Sequence, residues 1–211
     1  MKIARMTVGP IAVNCYILWN DQLEGVIIDP GDSAERIMHF VTEQGLTIKA
    51  ILLTHGHFDH IGASDALRNA LSVPVYVHEA EAPMLSDAHA NASLHFFDSP
   101  ITAKADHLLK DGDELPLLGE TFTVMHLPGH SPGAVCYFCG NVIFSGDVLF
   151  RGSYGRTDLP GGDPIAMRRS LRKLGTLTKD YTVYPGHGES TTILFEKQIN
   201  MDMVADDDDL F

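Results

Sequence analysis

The stretch Thr54-His55-Gly56-His57-Phe58-Asp59-His60 follows directly on a short apolar run read as a strand, Lys49 to Leu53. A buried strand that ends in four imidazole and carboxylate groups leaves polar atoms at high cost unless a metal satisfies them. Residues 55 and 57 alternate, so both imidazoles can leave an extended loop in the same direction. Gly56 gives room to the tight turn that places Asp59-His60. The same arrangement recurs further along the chain. Val124 to Gly129 runs into His130, Ile143 to Gly146 into Asp147, and Val183 to Gly186 into His187. Each is a buried strand opening into a loop, which is where rigid scaffolds hold reactive groups.

Together these loops offer five His and two Asp, and no thiolate. Such donors suit zinc, iron or manganese and point away from a closed structural zinc site. Seven donors exceed what one tetrahedral ion takes. Two ions about 3.5–4 Å apart, sharing one carboxylate and one water, would use them all, and such pairs characteristically perform hydrolysis. The other six of the 11 His, at positions His39, His78, His89, His95, His107 and His126, are read as ordinary structural residues.

Around these loops the pattern alternates between strands and helices. Lys2 to Val8, Ala12 to Trp19 and Gly25 to Asp29 predict a meander of strands broken at Gly9-Pro10 and Asn20-Asp21. Asp32 or Ser33 would cap a helix that Gly45 stops. Helices are predicted from about Ile61 to Leu71 and from Glu79 to Ala90, with the strand Val73 to Val77 between them, while Asn91 to Ala105 has weak periodicity. Beyond Asp106 the strands Glu120 to His126, Gly133 to Cys139 and Asn141 to Ser145 are predicted, with Gly140-Asn141 as a hairpin turn. Asp163-Pro164 opens a helix in the preferred order of cap and first-turn proline, and Tyr181 to Tyr184 is the last strand.

At 211 residues, with 45% hydrophobic and 20% charged, the chain predicts one globular domain and excludes a disordered or fibrous one. The net charge of −13 would repel phosphate backbones and anionic lipid, so nucleic acid and membrane surfaces are not expected partners. No run of about 18 apolar residues occurs, and the start, Met1-Lys2-Ile3-Ala4-Arg5, predicts no signal peptide. Three cysteines, an odd set, fit a reducing compartment, here the cytoplasm. Cys136-Tyr137-Phe138-Cys139 has the spacing of a metal or redox pair, but it lies in a strand pattern, where free Cys packs as a small hydrophobe.

Taken in order, Thr54 to His60, Pro128-Gly129-His130-Ser131-Pro132-Gly133, Ser145-Gly146-Asp147 and Pro185-Gly186-His187-Gly188 resemble the metallo-β-lactamase superfamily, within it the glyoxalase II (hydroxyacylglutathione hydrolase) branch. The resemblance covers nearly the whole chain, including Asn14-Cys15-Tyr16 and Asp29-Pro30-Gly31. It implies an α+β chain folded as a four-layer αββα sandwich with metals at one edge. It also implies that His55, His57 and His130 hold one metal and Asp59, His60 and His187 a second, with Asp147 bridging and Asp29 orienting a ligand histidine. β-Lactamases of the commonest type would carry Cys where Asp147 stands and lack His60, and flavodiiron proteins would carry Glu where His57 stands. Typical glyoxalase II enzymes add a C-terminal helical domain that binds glutathione, and here about 24 residues follow His187. The segment Arg156 to Asp163 instead resembles short, single-domain bacterial members. Arg156 stands near the family's substrate-binding lysine and is expected to attract an anionic substrate, although the tyrosine expected two places later is Asp158.

The expectation is therefore a single hydrolase domain over residues 1–200 with an acidic tail over 201–211, where Asp206 to Asp209 would be a solvated, disordered end. The expected activity is hydrolysis of a thioester such as S-lactoylglutathione by two divalent ions, zinc first and iron or manganese as alternatives, with Asp59 and Asp147 as catalytic carboxylates. The expected partner is a small-molecule thioester, and the chain would act as a monomer or homodimer. Rivals are a persulfide dioxygenase using one iron held by two His and one Asp, a lactonase of the same fold, and a non-catalytic metal-binding descendant.

Overall fold

Alternation within the strands fixes the layering. In the computed structural model, which describes residues 1–204, the first half of the chain contributes β1 (Lys2–Val8), β2 (Val13–Trp19), β3 (Glu24–Ile28), α1 (Ala34–Glu43), β4 (Thr47–Leu52), α2 (Phe58–Ile61), α3 (Ser64–Leu71), β5 (Val75–His78), α4 (Ala82–Ser86), α5 (Ser93–Phe96) and β6 (His107–Leu109). The second half contributes β7 (Glu114–Leu117), β8 (Glu120–His126), β9 (Val135–Cys139), β10 (Val142–Gly146), α6 (Pro164–Gly175), β11 (Thr182–Pro185), β12 (Thr191–Thr192) and α7 (Ile193–Ile199). On β3, Val26 and Ile28 face one way and Ile27 the other; on β4, Ala50 and Leu52 oppose Ile51. Period-two alternation of apolar residues on both faces demands cover on both sides.

Three apolar layers supply that cover. Ile27, Ile51 and Val75 pack with Ile37 of α1 and Leu67 of α3. Val26, Ile28, Leu52, Phe122, Tyr137 and Phe144 fill the space between the two sheets. Cys136, Ile143 and Val183 pack under Met167, Leu171 and Leu174 of α6. The result is the four-layer αββα sandwich. Cys136 and Cys139 belong to different layers, so they point away from each other and act as packed apolar residues.

One sheet runs β1-β2-β3-β4-β5-β6 and the other β12-β11-β10-β9-β8-β7. Within them β3, β4, β5 and β6 are parallel neighbours, as are β10 and β11, so the C-terminal ends of β3 and β4 lie side by side, and those of β10 and β11 likewise. The Gly140 turn joins β9 to β10 as the expected hairpin, with Gly140 at φ 58. Asp163 caps α6 as expected, its Oδ1 accepting from Ile165 N at 2.8 Å and Ala166 N at 3.0 Å.

Several expected helices are interrupted, for local reasons. The helix expected from Ile61 to Leu71 divides into α2 and α3, because Gly62 lies against the carbonyl of Gly31 where any Cβ would collide, and Ala63 N donates to Pro30 O at 2.9 Å. The helix expected from Glu79 to Ala90 is a 3₁₀ turn, Glu79–Glu81, then α4; it stops where Asp87 Oδ1 accepts from His89 N and Ala90 N and closes an Asx turn. Ser33 sits at the start of α1 without supplying a cap, and its hydroxyl donates to Asp32 Oδ1 at 3.1 Å. Packed structure also runs past the expected boundary at residue 200: Met201–Met203 form a 3₁₀ turn whose Met203 is buried beneath α6. Asp206 to Asp209 lie outside the described residues. No helix among the described residues is long and apolar enough to cross a membrane.

A fully buried carboxylate ties the two halves together. Glu81 Oε2 accepts from Gly56 N at 2.7 Å, in the loop after β4, and Oε1 accepts from Gly133 N at 2.5 Å, in the loop before β9. Burial raises the Glu81 pKa, and the two backbone N–H groups oppose that rise. Glu81→Ala leaves both donors buried without a partner and should destabilise the protein by about 3 kcal/mol, read as an earlier denaturant midpoint. An unshifted midpoint would show that the linkage contributes nothing.

Candidate metal centre

Asp29, at the end of β3, sets the first element of the site. It holds a left-handed backbone conformation, φ 49, which Asp tolerates better than most residues. Its Oδ1 accepts from Thr54 N at 2.7 Å and its Oδ2 from Thr54 Oγ1 at 2.6 Å, fastening the start of the His55–His60 loop to the neighbouring strand. Oδ2 also accepts from His60 Nδ1 at 2.9 Å. With that nitrogen occupied as the donor, Nε2 is the ring atom of His60 left to face the cluster. The expected orienting role of Asp29 therefore has a direct geometric counterpart. Gly31, two residues on, lies so close to the Asp59 carbonyl that no side chain would fit there.

The other loops are fastened equally firmly. Val135 N donates to Thr54 O at 2.9 Å, and Tyr137 OH donates to Leu53 O at 2.8 Å, joining the end of β4 to the second sheet. His130 Nδ1 donates to the Arg156 carbonyl at 2.7 Å, leaving Nε2 directed at the cluster. The His187 loop is held by the first hairpin: Asn14 Nδ2 donates to Pro185 O at 3.0 Å and Gly188 O at 2.9 Å, and Tyr16 OH donates to Pro185 O at 2.7 Å. That explains the presence of Asn14-Cys15-Tyr16 among the resembling motifs.

All seven expected donors converge. His55, His57 and His130 bring ligand atoms within 4.8 Å of one another; so do His55, His60 and Asp147, and so do Asp59, His60 and His187. His57 Nδ1 lies 2.8 Å from His130 Nε2. Asp147 stands between the groups, with Oδ1 3.3 Å from His60 Nε2 and Oδ2 3.5 Å from His130 Nε2 and 3.7 Å from His187 Nε2. Asp59 Oδ2 lies 3.1 Å from His187 Nε2 and 3.5 Å from His60 Nε2.

Burial and hydrogen bonding test whether this cluster fits a metal. His55, His57, His60 and His130 are each no more than 3% exposed. Yet Nε2 of His55, His57 and His60, together with Asp147 Oδ1, has no hydrogen-bond partner. Orphaned polar atoms of this kind are rare in folded proteins and call for an ion or other partner. The electrostatics agree. Burial, reinforced by the neighbouring imidazoles, holds His55 well below the ordinary histidine pKa, and burial and His130 bring His57 down to about 3. Both are therefore neutral, the form that ligates. Burial also opposes charge on His60, but Asp59, Asp147 and Asp29 outweigh it and hold its pKa well above the ordinary value. The carboxylates thus create a place where positive charge is favoured. The donors fit a metal centre.

The outer residues divide differently. Arg156 reaches the mouth of the site, but its Nε and Nη2 are bound to Asp158 Oδ1 and Oδ2 at 2.6 and 2.7 Å, so its charge is already matched. Glu81 was not legible in the sequence: an acid in the first turn of the helix expected from Glu79 reads as a favourable charge there, and only the fold shows it bracing the His55–His57 loop against the segment after His130. Above the cluster lies a cleft of about 290 Å³, reached by His57, Asp59, His130, Asp147 and His187. A reactive cluster at the base of one cleft is the ordinary form of an enzyme site.

Known proteins share this fold. Residues 8–187 match the family model described as Metallo-beta-lactamase superfamily. The chain is 44% identical over 204 residues to the probable metallo-hydrolase YqgX of Bacillus subtilis (strain 168), covering 95% of this chain and 96% of that protein. It is 37% identical over 205 residues to the hydroxyacylglutathione hydrolase GloC of Haemophilus influenzae (strain ATCC 51907 / DSM 11121 / KW20 / Rd), covering 95% and 97%. The solved structure of the BLEG-1 B3 metallo-beta-lactamase superposes with a TM-score of 0.92 at 45% identity, covering 97% of this chain and all of that one. The matched span begins at the end of β1, closes on His187 and takes in both sheets, so the chain belongs to the metallo-beta-lactamase superfamily.

Proposed function

We propose that this metallo-hydrolase is a thioesterase of the glyoxalase II type, acting on an S-2-hydroxyacyl thiol such as S-lactoylglutathione with two divalent ions, zinc first and iron or manganese as alternatives. The observation that carries the proposal is the complete seven-donor cluster facing one cleft. His55, His57 and His130 would hold one ion and Asp59, His60 and His187 the other. Asp147, which faces donors of both groups, would be shared. Bound there, such ions bring the pKa of water toward neutrality and polarise a carbonyl oxygen. The likeness to a protein named hydroxyacylglutathione hydrolase supports a thioester as the bond that is cleaved.

The protein's own contribution is positional. Asp59 and Asp147 both line the cleft, where their oxygens can accept hydrogen bonds from an attacking water and aim its oxygen at the thioester carbon. Asp29 keeps the His60 ring from turning. No thiol competes as nucleophile: Cys15, Cys136 and Cys139 are buried, burial raises all three pKa values, and none lines the cleft. A thiol leaving group with a pKa near ~8.5 departs as thiolate without help from an acid. Hydrolysis of a β-lactam is the second reading, favoured by the likeness to BLEG-1; it asks the same positioning of the attacking water and, in addition, a proton for the departing amide nitrogen.

Chelation should abolish release of free thiol from S-lactoylglutathione, and returned metal should restore it; turnover by metal-free protein would overturn the proposal. In Asp147→Asn, bound metal per chain and turnover should fall together, and if neither changes the shared role is wrong. Asp29→Ala should weaken metal affinity about 10–100-fold in competition with a chromophoric chelator, since the His60 ring loses its anchor. A β-lactam and glutathione persulfide, assayed beside the thioester with an oxygen electrode, separate the rivals. One iron per chain with oxygen uptake would replace this reading with a persulfide dioxygenase, and preferential β-lactam opening with a lactamase.

A further inference from the structure

Beside the donors, the cleft is walled by Ile11, Phe58, Ala92, Phe96, Phe150 and Leu159. These come from separate parts of the chain: the turn between β1 and β2, the α2 and α5 helices, and the segment between β10 and α6. Phe58 is buried and supports two aromatic neighbours, with ring centroids 5.0 Å from Phe96 and 5.4 Å from Phe97. Phe96 is nevertheless 51% exposed and Ile11 39%. Single exposed apolar side chains are ordinary, but several gathered beside reactive groups mark a binding surface. Among the residues lining the cleft the cation is Arg156, and its guanidinium is already paired with Asp158. A carrier such as glutathione, with two carboxylates and one ammonium, finds little there to grip, and the chain's charge of −13 repels it.

We infer that the site selects its thioester through an apolar acyl group, a short aliphatic chain or an aromatic ring seated against Phe96 and Leu159, rather than through a charged thiol carrier. The inference rests on the thioester reading above and names the part of the substrate that is recognised. The reaction balances as hydrolysis: a water oxygen bonds to the carbonyl carbon, the carbon–sulfur bond breaks, and the products are a carboxylate, a thiol and one proton. Apolar acyl surface leaves water on binding, so each methylene that reaches the wall adds to affinity.

The test is a series of glutathione thioesters with a constant carrier, from lactoyl through 2-hydroxybutyryl and 2-hydroxyhexanoyl to mandeloyl, on metal-loaded protein. Specificity, kcat/KM, should rise about fourfold per methylene that is fully buried. Phe96→Ala should flatten that slope, and Phe96→Leu should keep most of it. The same acyl groups on neutral N-acetylcysteamine should be cleaved at comparable rates. In calorimetry, S-hexylglutathione, a thioether that cannot be hydrolysed, should bind more tightly than glutathione. A flat or falling series, a slope unaltered by Phe96→Ala, a strong preference for the glutathione carrier, or equal calorimetric affinities would each overturn the inference while leaving thioester hydrolysis standing. Failure to cleave any thioester would instead overturn the thioester reading beneath it.

Discussion

Seven imidazole and carboxylate groups, five of them buried and two partly so, cannot be gathered together unless something other than bulk water satisfies them, and the rest of this structure is arranged around that constraint. Four of the imidazoles are almost wholly buried, and three of their ring nitrogens have no hydrogen-bond partner. Left to themselves such groups would favour a looser, hydrated arrangement. They are held in place because each of their loops is bonded to an element outside the cluster: Thr54 to Asp29, Gly56 and Gly133 to Glu81, His130 to the Arg156 carbonyl, and the His187 loop to Asn14 and Tyr16.

Strand direction brings these loops to one edge. Parallel neighbours place their C-terminal ends side by side, so β3 and β4 present Asp29 beside His55, and β10 and β11 present Asp147 beside His187. β8 is antiparallel to β9, which is antiparallel to β10, so β8 also ends at that edge and His130 follows it. Packing of the two sheets through Leu52, Phe122, Tyr137 and Phe144 then closes the two sets of ends upon one another. Open α/β sheets likewise bind ligands beyond the carboxyl ends of their strands.

Charge is distributed with the same logic. Asp29 and Glu81 are buried carboxylates whose acceptors are filled by backbone, hydroxyl and imidazole donors, which leaves them structural. Asp59 and Asp147 face the cleft and the histidines, where negative charge draws in a cation. The apolar wall of Phe58, Phe96 and Leu159 adjoins them. Low-polarity surroundings strengthen the charge interactions at the base of the cleft.

The sequence by itself brought out the candidate donors, because a run such as Thr54 to His60 at the end of an apolar strand stands out as a local pattern, and the four such strand ends were each visible in that way. The layering followed from the likeness of its motifs to a known family and not from periodicity; the alternation on β3, β4 and β9 that fixes it shows in the packed strands. Interruptions such as Gly62 were not legible, because they depend on how closely Gly31 approaches from another loop. Nor were the bracing role of Glu81, the pairing of Arg156 with Asp158, or the aromatic wall that Phe96 adds from a segment of weak periodicity. Those depend on which residues distant in the chain become neighbours, and only the packing of the two sheets decides that.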